Sequence, residues 1–426
     1  ALPIYCGERS SLMIFLDSAA TTPVRREVLE AMWPLLTGDF GNPSSHHELG
    51  ESAKRALDAA RTSVAASLGC RASDVIFTSG GTESDNLAIK GLALANPRGR
   101  HIVTSAIEHE AVLESVDYLV RIHGFEVTVL PVDAHGLIDL DEARDALRPD
   151  TTLCTVMYAN NEIGAVQPIA ALAELCRSQG VPLHTDAVQA AGWLPLDVAE
   201  LGVDALSLSG HKLGAPKGIG VLMVKGRRSI EPVLHGGGQE RGKRSGTENV
   251  AGAVGFAHAL VLAETGRAER AHNIARLRDG FAADVLARVP DAIVTGPPRV
   301  AVNPGEVWGT AAAVDSAIDN AVDRATLGSA ITPTRLPNNA SFCFPGTSGE
   351  SLLLELGRAG IICSAGSACA VGSDDVSHVL TAIGIDDAVA QTAVRFSLSS
   401  DTTANQLATV AAEIDTAYRA VRSLSG

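Results

Sequence analysis

The sequence has few aromatic residues, no paired cysteine motif, no excess of basic residues and no long apolar run. Aromatic side chains make up 4% of the 426 residues, so the core must be built largely from Ala, Val, Leu and Ile. The 34 basic side chains are outnumbered by 49 acidic ones, which gives a net charge of −15. Nucleic acid is therefore excluded as the main partner, because phosphate binding needs basic patches.

The cysteines also exclude two classes of protein. Seven are present, and no two form a CxxC pair, so neither a disulfide framework nor an intrinsic metal site is expected. No apolar run approaches the ~18 residues of a membrane span. Glu8 and Arg9 ahead of the apolar residues 12–16 do not fit a secretory signal. We therefore expect a cytoplasmic protein with reduced thiols and no membrane contact.

Short apolar segments alternate with amphipathic segments between residues 75 and 225, which predicts βα units around a mostly parallel sheet. The predicted strands are 75–78, 101–104, 126–130, 152–157, 182–185, 205–208 and 219–224. The predicted helices between them include 83–94, 111–123 and 169–179. One long helix is predicted over 250–288, with a domain boundary near residue 262.

The C-terminal region is expected to form a smaller α+β domain. Its predicted strands are 339–344, 360–363 and 394–399, and its predicted helices are 348–358, 377–383 and 404–423. Residues 296–337 lack a clear apolar face and are interpreted as an inserted loop. The predicted domains are thus a large one at 17–262 and a small one formed by 1–16 and 263–426.

Polar residues follow several predicted strands, at the edge where open α/β sheets bind ligands. The turn at 79–83 leads into a helix and predicts either an anion site or an ordinary capped helix start. His109 and Asn160 are weak signals alone, since a surface histidine or a turn explains them equally well. Asp186 directly follows a buried strand, which is unusual for an unpaired carboxylate.

Lys212 ends the sequence Ser-Gly-His-Lys after the strand at 205–208. A lysine at the end of a buried strand needs a paired ammonium or an imine, although an exposed loop lysine is the alternative for Lys212 taken alone. Pyridoxal phosphate requires a lysine, a carboxylate for its ring nitrogen, phosphate donors and a planar group on its ring. Lys212 fits the role of the lysine, and Asp186 fits that of the carboxylate. Thr82, Ser209 and His211 fit the phosphate donors, and His109 fits the planar group.

Several motifs in one order resemble those of the cysteine desulfurases, a branch of the class-V pyridoxal-phosphate-dependent aminotransferase family. The motifs are LDSAATTP at 16–23, GNPSSHH at 41–47, FTSGGTESDN at 77–86, DAVQ at 186–189, SGHK at 209–212 and HGGGQERGKRSGTEN at 235–249. The resemblance runs from about Phe15 to the C-terminus, except for 296–337. It implies an α/β fold of type I: a large domain with a mostly parallel seven-stranded sheet, a smaller α+β domain, and a homodimer.

The resemblance also implies roles for single residues. Lys212 would hold the cofactor as an imine, Asp186 would pair with the pyridinium nitrogen, and Gln189 would hydrogen-bond the ring oxygen. His109 would stack on the ring and move protons. Asn160 and Arg395 would hold the substrate carboxylate, and Asn160 would also contact the cofactor. The implied phosphate ligands are Gly81, Thr82, Ser209, His211 and Thr247 of the partner subunit.

Cys369 is the candidate nucleophile. It ends the Gly/Ser/Ala-rich segment 364–369, where a thiol has little to pack against and can reach a substrate. Cys343 and Cys363 lie instead in apolar, strand-like runs that are typical of buried thiols. The resemblance identifies Cys369 with the persulfide-forming cysteine of the housekeeping iron–sulfur branch, on a loop that delivers sulfur to a scaffold protein. A cysteine on such a loop can also transiently ligate an iron–sulfur cluster. Ala370 replaces the hydroxyl residue common in the family and is expected only to tune the loop.

The expected function is that of an enzyme, a cysteine desulfurase that converts L-cysteine to L-alanine. The sulfur would pass through a persulfide on Cys369 to iron–sulfur clusters or other thio-cofactors, with the acceptor left open. A selenocysteine lyase or an aminotransferase on the same scaffold is the first alternative, although the Cys369 loop disfavours simple transamination. The second is a non-enzymatic sulfur-transfer subunit without cofactor, which Lys212, Asp186 and Arg395 disfavour.

Overall fold

A seven-stranded sheet organises residues 75–224 in the computed structural model of this chain. The structure describes residues 13–95, 97–297, 334–366 and 376–424. The strands are, in chain order, Ile14–Phe15 (β1), Val75–Thr78 (β2), His101–Ser105 (β3), Glu126–Leu130 (β4), Thr151–Thr155 (β5), Leu183–Asp186 (β6), Ala205–Ser209 (β7), Gly220–Val224 (β8), Ile293–Val294 (β9), Asn339–Cys343 (β10), Ile361–Ile362 (β11), Ser364–Ala365 (β12) and Ala393–Ser397 (β13).

The helices alternate with the strands of the large sheet and then dominate the C-terminal half. They are Arg26–Thr37 (α1), Glu48–Leu68 (α2), Gly81–Ala95 (α3), Glu110–His123 (α4), Leu140–Ala146 (α5), Ile169–Ser178 (α6), Val198–Leu201 (α7), Val250–Glu264 (α8), Arg267–Arg288 (α9), Gly349–Arg358 (α10), His378–Ala382 (α11), Asp387–Ala390 (α12) and Ala404–Leu424 (α13). None of the helices in the described part of the chain has the length and hydropathy that crossing a membrane requires.

The large sheet has the strand order β2-β8-β7-β6-β5-β3-β4. Strand β8 runs antiparallel to β2 and β7, and the other neighbours are parallel. Every residue of β5, β6 and β7 is buried, as expected for parallel strands that are covered on both faces. The predicted fold class, α/β with a mostly parallel seven-stranded sheet, is confirmed.

The core of this sheet is aliphatic, in keeping with the small number of aromatic residues. Ile76 of β2, Ile102 of β3 and Leu153 of β5 pack in one buried cluster with Leu87 of α3 and Val112 of α4. Helix α4 begins where the His109 side chain accepts a hydrogen bond from the amide of Ala111 and ends at Gly124, whose φ of +67° suits glycine. The two ends of α4 are therefore set by its own sequence.

The single helix predicted over 250–288 is wrong. Helix α8 ends at Glu264, and α9 begins at Arg267 after Gly266, which has a φ of +65°. A residue in the left-handed region cannot continue a right-handed helix, and glycine adopts that conformation at little cost. The strong helix formers on both sides concealed this break in the sequence.

The chain divides into two compact units. One, called unit 2 here, comprises Ser18–Asn161 and Gln167–Ala271 and contains the seven-stranded sheet. The other, unit 1, holds the described residues up to Asp17, Glu162–Val166 and those from His272 onward. The structure divides the chain into these units after Ala271, whereas the sequence predicted the domain boundary near residue 262. Residues 298–333 of the predicted inserted loop lie outside the described residues.

Unit 1 contains two small sheets. Strands β1 and β11 pair in parallel, and β12, β13, β10 and β9 form a four-stranded antiparallel sheet in that order. The segment Glu162–Val166 joins this unit through backbone hydrogen bonds, from the amide of Val166 to the Thr334 carbonyl and from the amide of Leu336 to the Gly164 carbonyl. This chain crossing was not predicted, because periodicity in a five-residue segment is too short to show which core it joins.

Candidate active site

Lys212 lies just beyond the carboxyl end of β7, in the 3₁₀ turn Gly210–Lys212. Its half-buried side chain donates hydrogen bonds from Nζ to the carbonyl oxygens of Ala19 and Ala20, the latter at 2.8 Å. These two residues belong to the motif at 16–23. The structure therefore brings the first motif of the sequence to the lysine of the fifth, SGHK.

Asp186 is the last residue of β6 and is 6% exposed. Its Oδ1 accepts a hydrogen bond from the amide of Val188 at 2.8 Å. Burial raises the pKa of Asp186, while the charges of His109 and Lys212 and the bond from Val188 act in the opposite direction. The carboxylate, the imidazole and the ammonium therefore share one electrostatic environment at the carboxyl ends of the parallel strands.

Gln189 lies one turn beyond Asp186 and also contacts the first motif. Its Nε2 donates a hydrogen bond to the Ala19 carbonyl at 3.0 Å, and Lys212 donates to the same oxygen. A single backbone carbonyl thus holds the amide and the amine side by side. The backbone of Ala19, and not the Ala19 side chain, therefore orients the side chains of Gln189 and Lys212.

The tautomer of His109 follows from its role at the start of α4. Its Nδ1 accepts a hydrogen bond from the amide of Ala111 at 3.0 Å, so this nitrogen carries no proton. The proton of the neutral ring then lies on Nε2. His109 is half-buried and lies directly after Glu108, which is 1% exposed.

The start of α3 forms a cradle of backbone amides. A Cβ at Gly81 would lie 2.9 Å from Cγ2 of Val188 and 3.4 Å from Cβ of Ser209, so a side chain does not fit at position 81. Thr82 is exposed at the first turn, and Ser209 at the end of β7 is buried. The first amides of a helix lack partners within the helix and bind anions, and this helix of 15 residues offers them beside two hydroxyl groups.

His211 is a neutral hydrogen-bonding group at ordinary pH. Burial, together with the positive charges of Lys212 and Lys217, lowers its pKa to about 4. Its Nδ1 lies 3.2 Å from Oγ1 of Thr21. The imidazole can therefore donate to an anion without adding a charge of its own.

Asn160 is buried in unit 2, and its Nδ2 donates to the Ile107 carbonyl at 2.9 Å. Arg395 lies in unit 1, on β13, and is 1% exposed. Its Nη2 donates to Oδ1 of Asp17 at 2.9 Å. Asp17 had no predicted role, although it stands in the motif at 16–23.

The loop at 235–249, which carries Thr247, is tied to the rest of unit 2 by one buried and one half-buried ion pair. Both carboxylate oxygens of Glu240 accept hydrogen bonds from Arg61 of α2 at 2.7 Å, and Glu83 of α3 accepts one from Arg244 at 2.8 Å. Glu240 and Arg241 have φ values of 48° and 60°, which are strained for residues with a side chain. The ion pairs hold this backbone in place and leave Thr247 exposed.

Replacing Glu240 is expected to destabilise unit 2. In Glu240→Gln, the Arg61 guanidinium stays buried without its anion, which costs about 3–5 kcal/mol of unfolding free energy. Urea denaturation followed by circular dichroism measures the loss. Glu30→Gln is the control, because the Arg26–Glu30 pair is exposed and its loss should leave the stability nearly unchanged. Equal effects of the two substitutions would contradict the proposed role of the buried pair.

The cysteines differ in their surroundings. Cys343 is buried and Cys363 is half-buried, and burial raises the pKa of each thiol to about 12. Neither is a thiolate at neutral pH, in agreement with the prediction of structural thiols. Cys369 and Ala370 lie outside the described residues. No cluster of metal-ligating side chains is found in the part of the chain that the structure describes.

Sequence reasoning missed several buried polar groups next to the predicted site. These groups are Asp85 on α3, Glu108 just before α4 and His184 on β6. Each is at most 1% exposed. Glu108 directly precedes His109, and His184 lies two residues before Asp186. The sequence signal that could have found them is an acidic or basic residue within an apolar segment, next to a predicted site residue.

The matching proteins belong to one group. A family model described as aminotransferase class-V matches residues 14–307. The cysteine desulfurase IscS of Dictyoglomus turgidum is 43% identical over 395 residues, covering 92% of this chain and 91% of that protein. The cysteine desulfurase IscS of Methanosarcina thermophila is 42% identical over 413 residues, covering 97% and 93%. A solved structure of a NifS-like protein superposes with a TM-score of 0.81 at 34% identity, over 95% of this chain and 98% of that one.

Proposed function

We propose that this chain converts L-cysteine to L-alanine and passes on the sulfur. The premise is that the chain belongs to the class-V aminotransferase family and, within it, to the cysteine desulfurases. The single observation that carries the proposal is the placement of Asp186 at the end of β6 and of Lys212 just beyond β7, the strand paired with β6, with His109 near enough to act on the Asp186 carboxylate. In the net reaction the Cβ–S and S–H bonds of the substrate break, and an S–S bond forms between that sulfur and the Cys369 thiolate, which becomes a persulfide anion. The released proton forms the new C–H bond at Cβ of alanine. Cysteine and alanine differ by that one sulfur atom, so no oxidant is needed.

The family uses pyridoxal phosphate, and the residues of unit 2 fit it. Lys212 would hold the aldehyde carbon, Asp186 the ring nitrogen and Gln189 the ring oxygen. The amides at the start of α3 would hold the phosphate, together with Thr82, Ser209, His211 and Thr247 of the partner subunit. When bound, the electron-poor ring stabilises negative charge on the substrate carbon. The lack of space for a Cβ at Gly81 supports the phosphate assignment.

Lys212 and His109 are proposed to move the protons. The hydrogen bonds of Lys212 Nζ to Ala19 and Ala20 orient the amine, which would take the proton from the substrate Cα. His109 would exchange its proton at Nε2, because the amide of Ala111 occupies Nδ1.

Arg395 is proposed to bind the substrate carboxylate, with Asp17 fixing one edge of its guanidinium. Arg395→Lys is expected to raise KM for cysteine roughly 10- to 100-fold, because an ammonium cannot form two parallel hydrogen bonds. Steady-state kinetics with kcat measured separately checks this. Arg358→Lys is the matched control, since Arg358 lies on the surface of the same unit. An unchanged KM in Arg395→Lys would contradict the assignment.

The sulfur acceptor, the oligomer and the location complete the proposal. We propose a homodimer in the cytoplasm that gives its sulfur to an iron–sulfur scaffold or another thio-cofactor pathway. The described cysteines Cys70, Cys154, Cys176, Cys343 and Cys363 are all free thiols, which supports a reducing compartment. The long exposed loop with Thr247 supports a partner subunit at the cofactor site.

The activity test uses the holoenzyme with L-cysteine and a thiol reductant. We expect alanine and sulfide in equal amounts, with a persulfide mapped to Cys369 by mass spectrometry before the reductant is added. Formation of a keto acid instead of alanine would identify an aminotransferase. Strong preference for selenocysteine in a competition assay would identify a selenocysteine lyase. Purified protein without bound cofactor and without turnover would contradict the proposal.

A further inference from the structure

Glu108 is a buried acidic residue to which the mechanism above gives no role. It lies in the turn between β3 and α4, directly before His109, and is 1% exposed. A buried carboxyl group is unfavourable unless hydrogen-bond donors replace the water that it loses. Two of its donors, Ser105 and Met157, lie at the end of β3 and just beyond the end of β5. Glu108 therefore joins segments that are distant in the sequence.

Both carboxyl oxygens of Glu108 accept hydrogen bonds. The amide of Met157 donates to Oε1 at 2.9 Å and to Oε2 at 3.0 Å. The hydroxyl of Ser105 donates to Oε1 at 2.5 Å. Ser105 is fully buried and Met157 is 1% exposed, so water has little access to these bonds. The carboxyl group thus holds the end of β3 against the chain beyond β5.

The Glu108 carboxyl group occupies a position that the backbone of β3 would otherwise fill. The amides of Val156 and Tyr158 donate to backbone carbonyls of β6. Successive amides of an extended chain point to opposite sides, so the Met157 amide between them points toward β3. Strand β3 pairs with β5 as far as Thr104 and then turns away. The side chain of Glu108 gives the buried Met157 amide the acceptor that the strand no longer supplies.

A second hydrogen bond connects the same two segments in the opposite direction. Nδ2 of Asn160, in the chain after β5, donates to the carbonyl of Ile107 at 2.9 Å. Ile107 and Asn160 are both fully buried. Glu108 reaches from the β3–α4 turn to the chain after β5, and Asn160 reaches back to the turn. These reciprocal bonds fix the turn at 106–109 relative to the end of β5.

His109 is held from both of its sides along the chain. Toward α4, its Nδ1 accepts a hydrogen bond from the Ala111 amide, and its carbonyl accepts one from the Val112 amide at 2.8 Å. These two bonds orient the residue relative to α4 but do not tie it to the sheet. Toward β3, the neighbouring residue is Glu108, which the Met157 amide holds. Because a planar peptide unit links residues 108 and 109, a shift of Glu108 moves the His109 backbone with it.

We propose that Glu108 is a positioning residue: by binding the Met157 amide, its side chain sets the place of the His109 ring at the cofactor site. The role requires a side chain long enough to reach from the turn to the chain beyond β5, with an acceptor oxygen at its end. What His109 does there rests on the proposed function, whereas the bridge from Glu108 to Met157 does not. Three measurements test the bridge, the side-chain length and the dependence on His109.

Hydrogen–deuterium exchange of the holoenzyme, read at single residues by mass spectrometry, tests the bridge without turnover. We expect the Met157 amide of the unaltered protein to be as protected as that of Tyr158, which donates to β6. Glu108→Ala removes the acceptor and should speed exchange at Met157 at least tenfold, with less than about a twofold change at Tyr158. A Met157 amide that stays equally slow in Glu108→Ala overturns the proposal. A fast one in the unaltered protein does so even if the variant fails to fold.

Two substitutions separate the length of the side chain from its charge. Glu108→Asp keeps the carboxylate but is one methylene shorter, so either the Met157 bond is lost or the turn moves toward β5. We expect kcat for desulfuration to fall by on the order of 10²-fold, because a small displacement of a reacting group slows catalysis strongly. Glu108→Gln keeps the length and one acceptor oxygen, and kcat should fall by less than about tenfold. A larger loss in Glu108→Gln than in Glu108→Asp would show that charge governs the effect and would contradict the proposal.

A double-mutant cycle with His109→Ala shows whether the effect passes through the imidazole. If Glu108 acts by placing that ring, Glu108→Asp should lower the residual kcat of His109→Ala by less than about threefold. The full loss of about 10²-fold on top of His109→Ala would show that Glu108 acts elsewhere and would overturn the proposal. Glu114→Asp is the matched control, since Glu114 is exposed on α4, and it should leave kcat unchanged in both backgrounds.

Visible circular dichroism of the bound cofactor separates this proposal from the proposed function, because the signal depends on the groups that contact the ring and needs no turnover. We expect Glu108→Asp to alter the band in the same direction as His109→Ala, and Glu108→Gln and Glu114→Asp to leave it nearly unchanged. An unaltered band in Glu108→Asp contradicts the proposal. If the band changes as expected in a protein that releases no alanine from cysteine, the role of Glu108 is supported and only the proposed function is contradicted.

Discussion

Lys212→Ala is expected to lose covalent attachment of the cofactor and to reduce turnover by on the order of 10⁴-fold. The substitution removes both the tethering amine and the base proposed for the substrate Cα. The backbone carbonyls of Ala19 and Ala20, which accept hydrogen bonds from its Nζ, can take over neither role. Borohydride reduction followed by peptide mass spectrometry measures the attachment, and alanine release measures turnover.

Lys217→Ala is the matched control for this experiment. Lys217 lies five residues further along the same segment, and its side chain is exposed. Its removal should leave attachment and turnover within about twofold of the unaltered protein. Cofactor that remains covalently bound in Lys212→Ala would show that another amine carries it and would contradict the site assignment.

Cys369→Ser is expected to stop sulfur transfer while the cofactor stays bound. A hydroxyl group cannot form a persulfide, so sulfide release from cysteine should fall by roughly 10³-fold or more. The absorption of the bound cofactor should be unchanged, because the residues that would hold it lie in unit 2. Persulfide mapping by mass spectrometry after a single exposure to cysteine gives the direct reading.

Cys363→Ala is the matched control, six residues before the nucleophile. Burial raises the pKa of Cys363 to about 12, so at pH 7 only about one molecule in 10⁵ carries a thiolate there. Its loss should change sulfide release by less than about twofold. Full activity in Cys369→Ser together with inactivity in Cys363→Ala would assign the nucleophile to position 363.

The strands of the large sheet were predictable because they are short segments, most of them rich in apolar or β-branched residues, between turn residues. Helices α1 and α2 were not predicted. Half of the buried residues of α2 are small, among them Ala53, Ala60 and Ala65, and these contrast little with a polar face. The break between α8 and α9 at Gly266 was missed for the opposite reason, since strong helix formers surround it. Hydrophobic periodicity detects large apolar side chains and gives little information elsewhere.

The candidate site was predictable where side chains carry the chemistry. Lys212, Asp186, His109 and Gln189 could be found from residue type and order. The carbonyls of Ala19 and Ala20, which hold Lys212 and Gln189, could not, because every residue has a carbonyl and only folding selects these two. The same applies to Asp17 beside Arg395, whose separation of 378 residues no local pattern spans.

The amino-acid sequence alone determined the class of chemistry: an amine, a carboxylate and an imidazole placed after successive strands, in the motif order of the cysteine desulfurases. The tertiary structure decided the charge and tautomer of these groups. His109 carries its ring proton on Nε2 because folding places the Ala111 amide at Nδ1, and the charge of Lys212 acts on the Asp186 carboxylate because β6 and β7 pair side by side in the sheet. Protonation depends on burial and on neighbouring charges, and both exist only after distant segments have packed together.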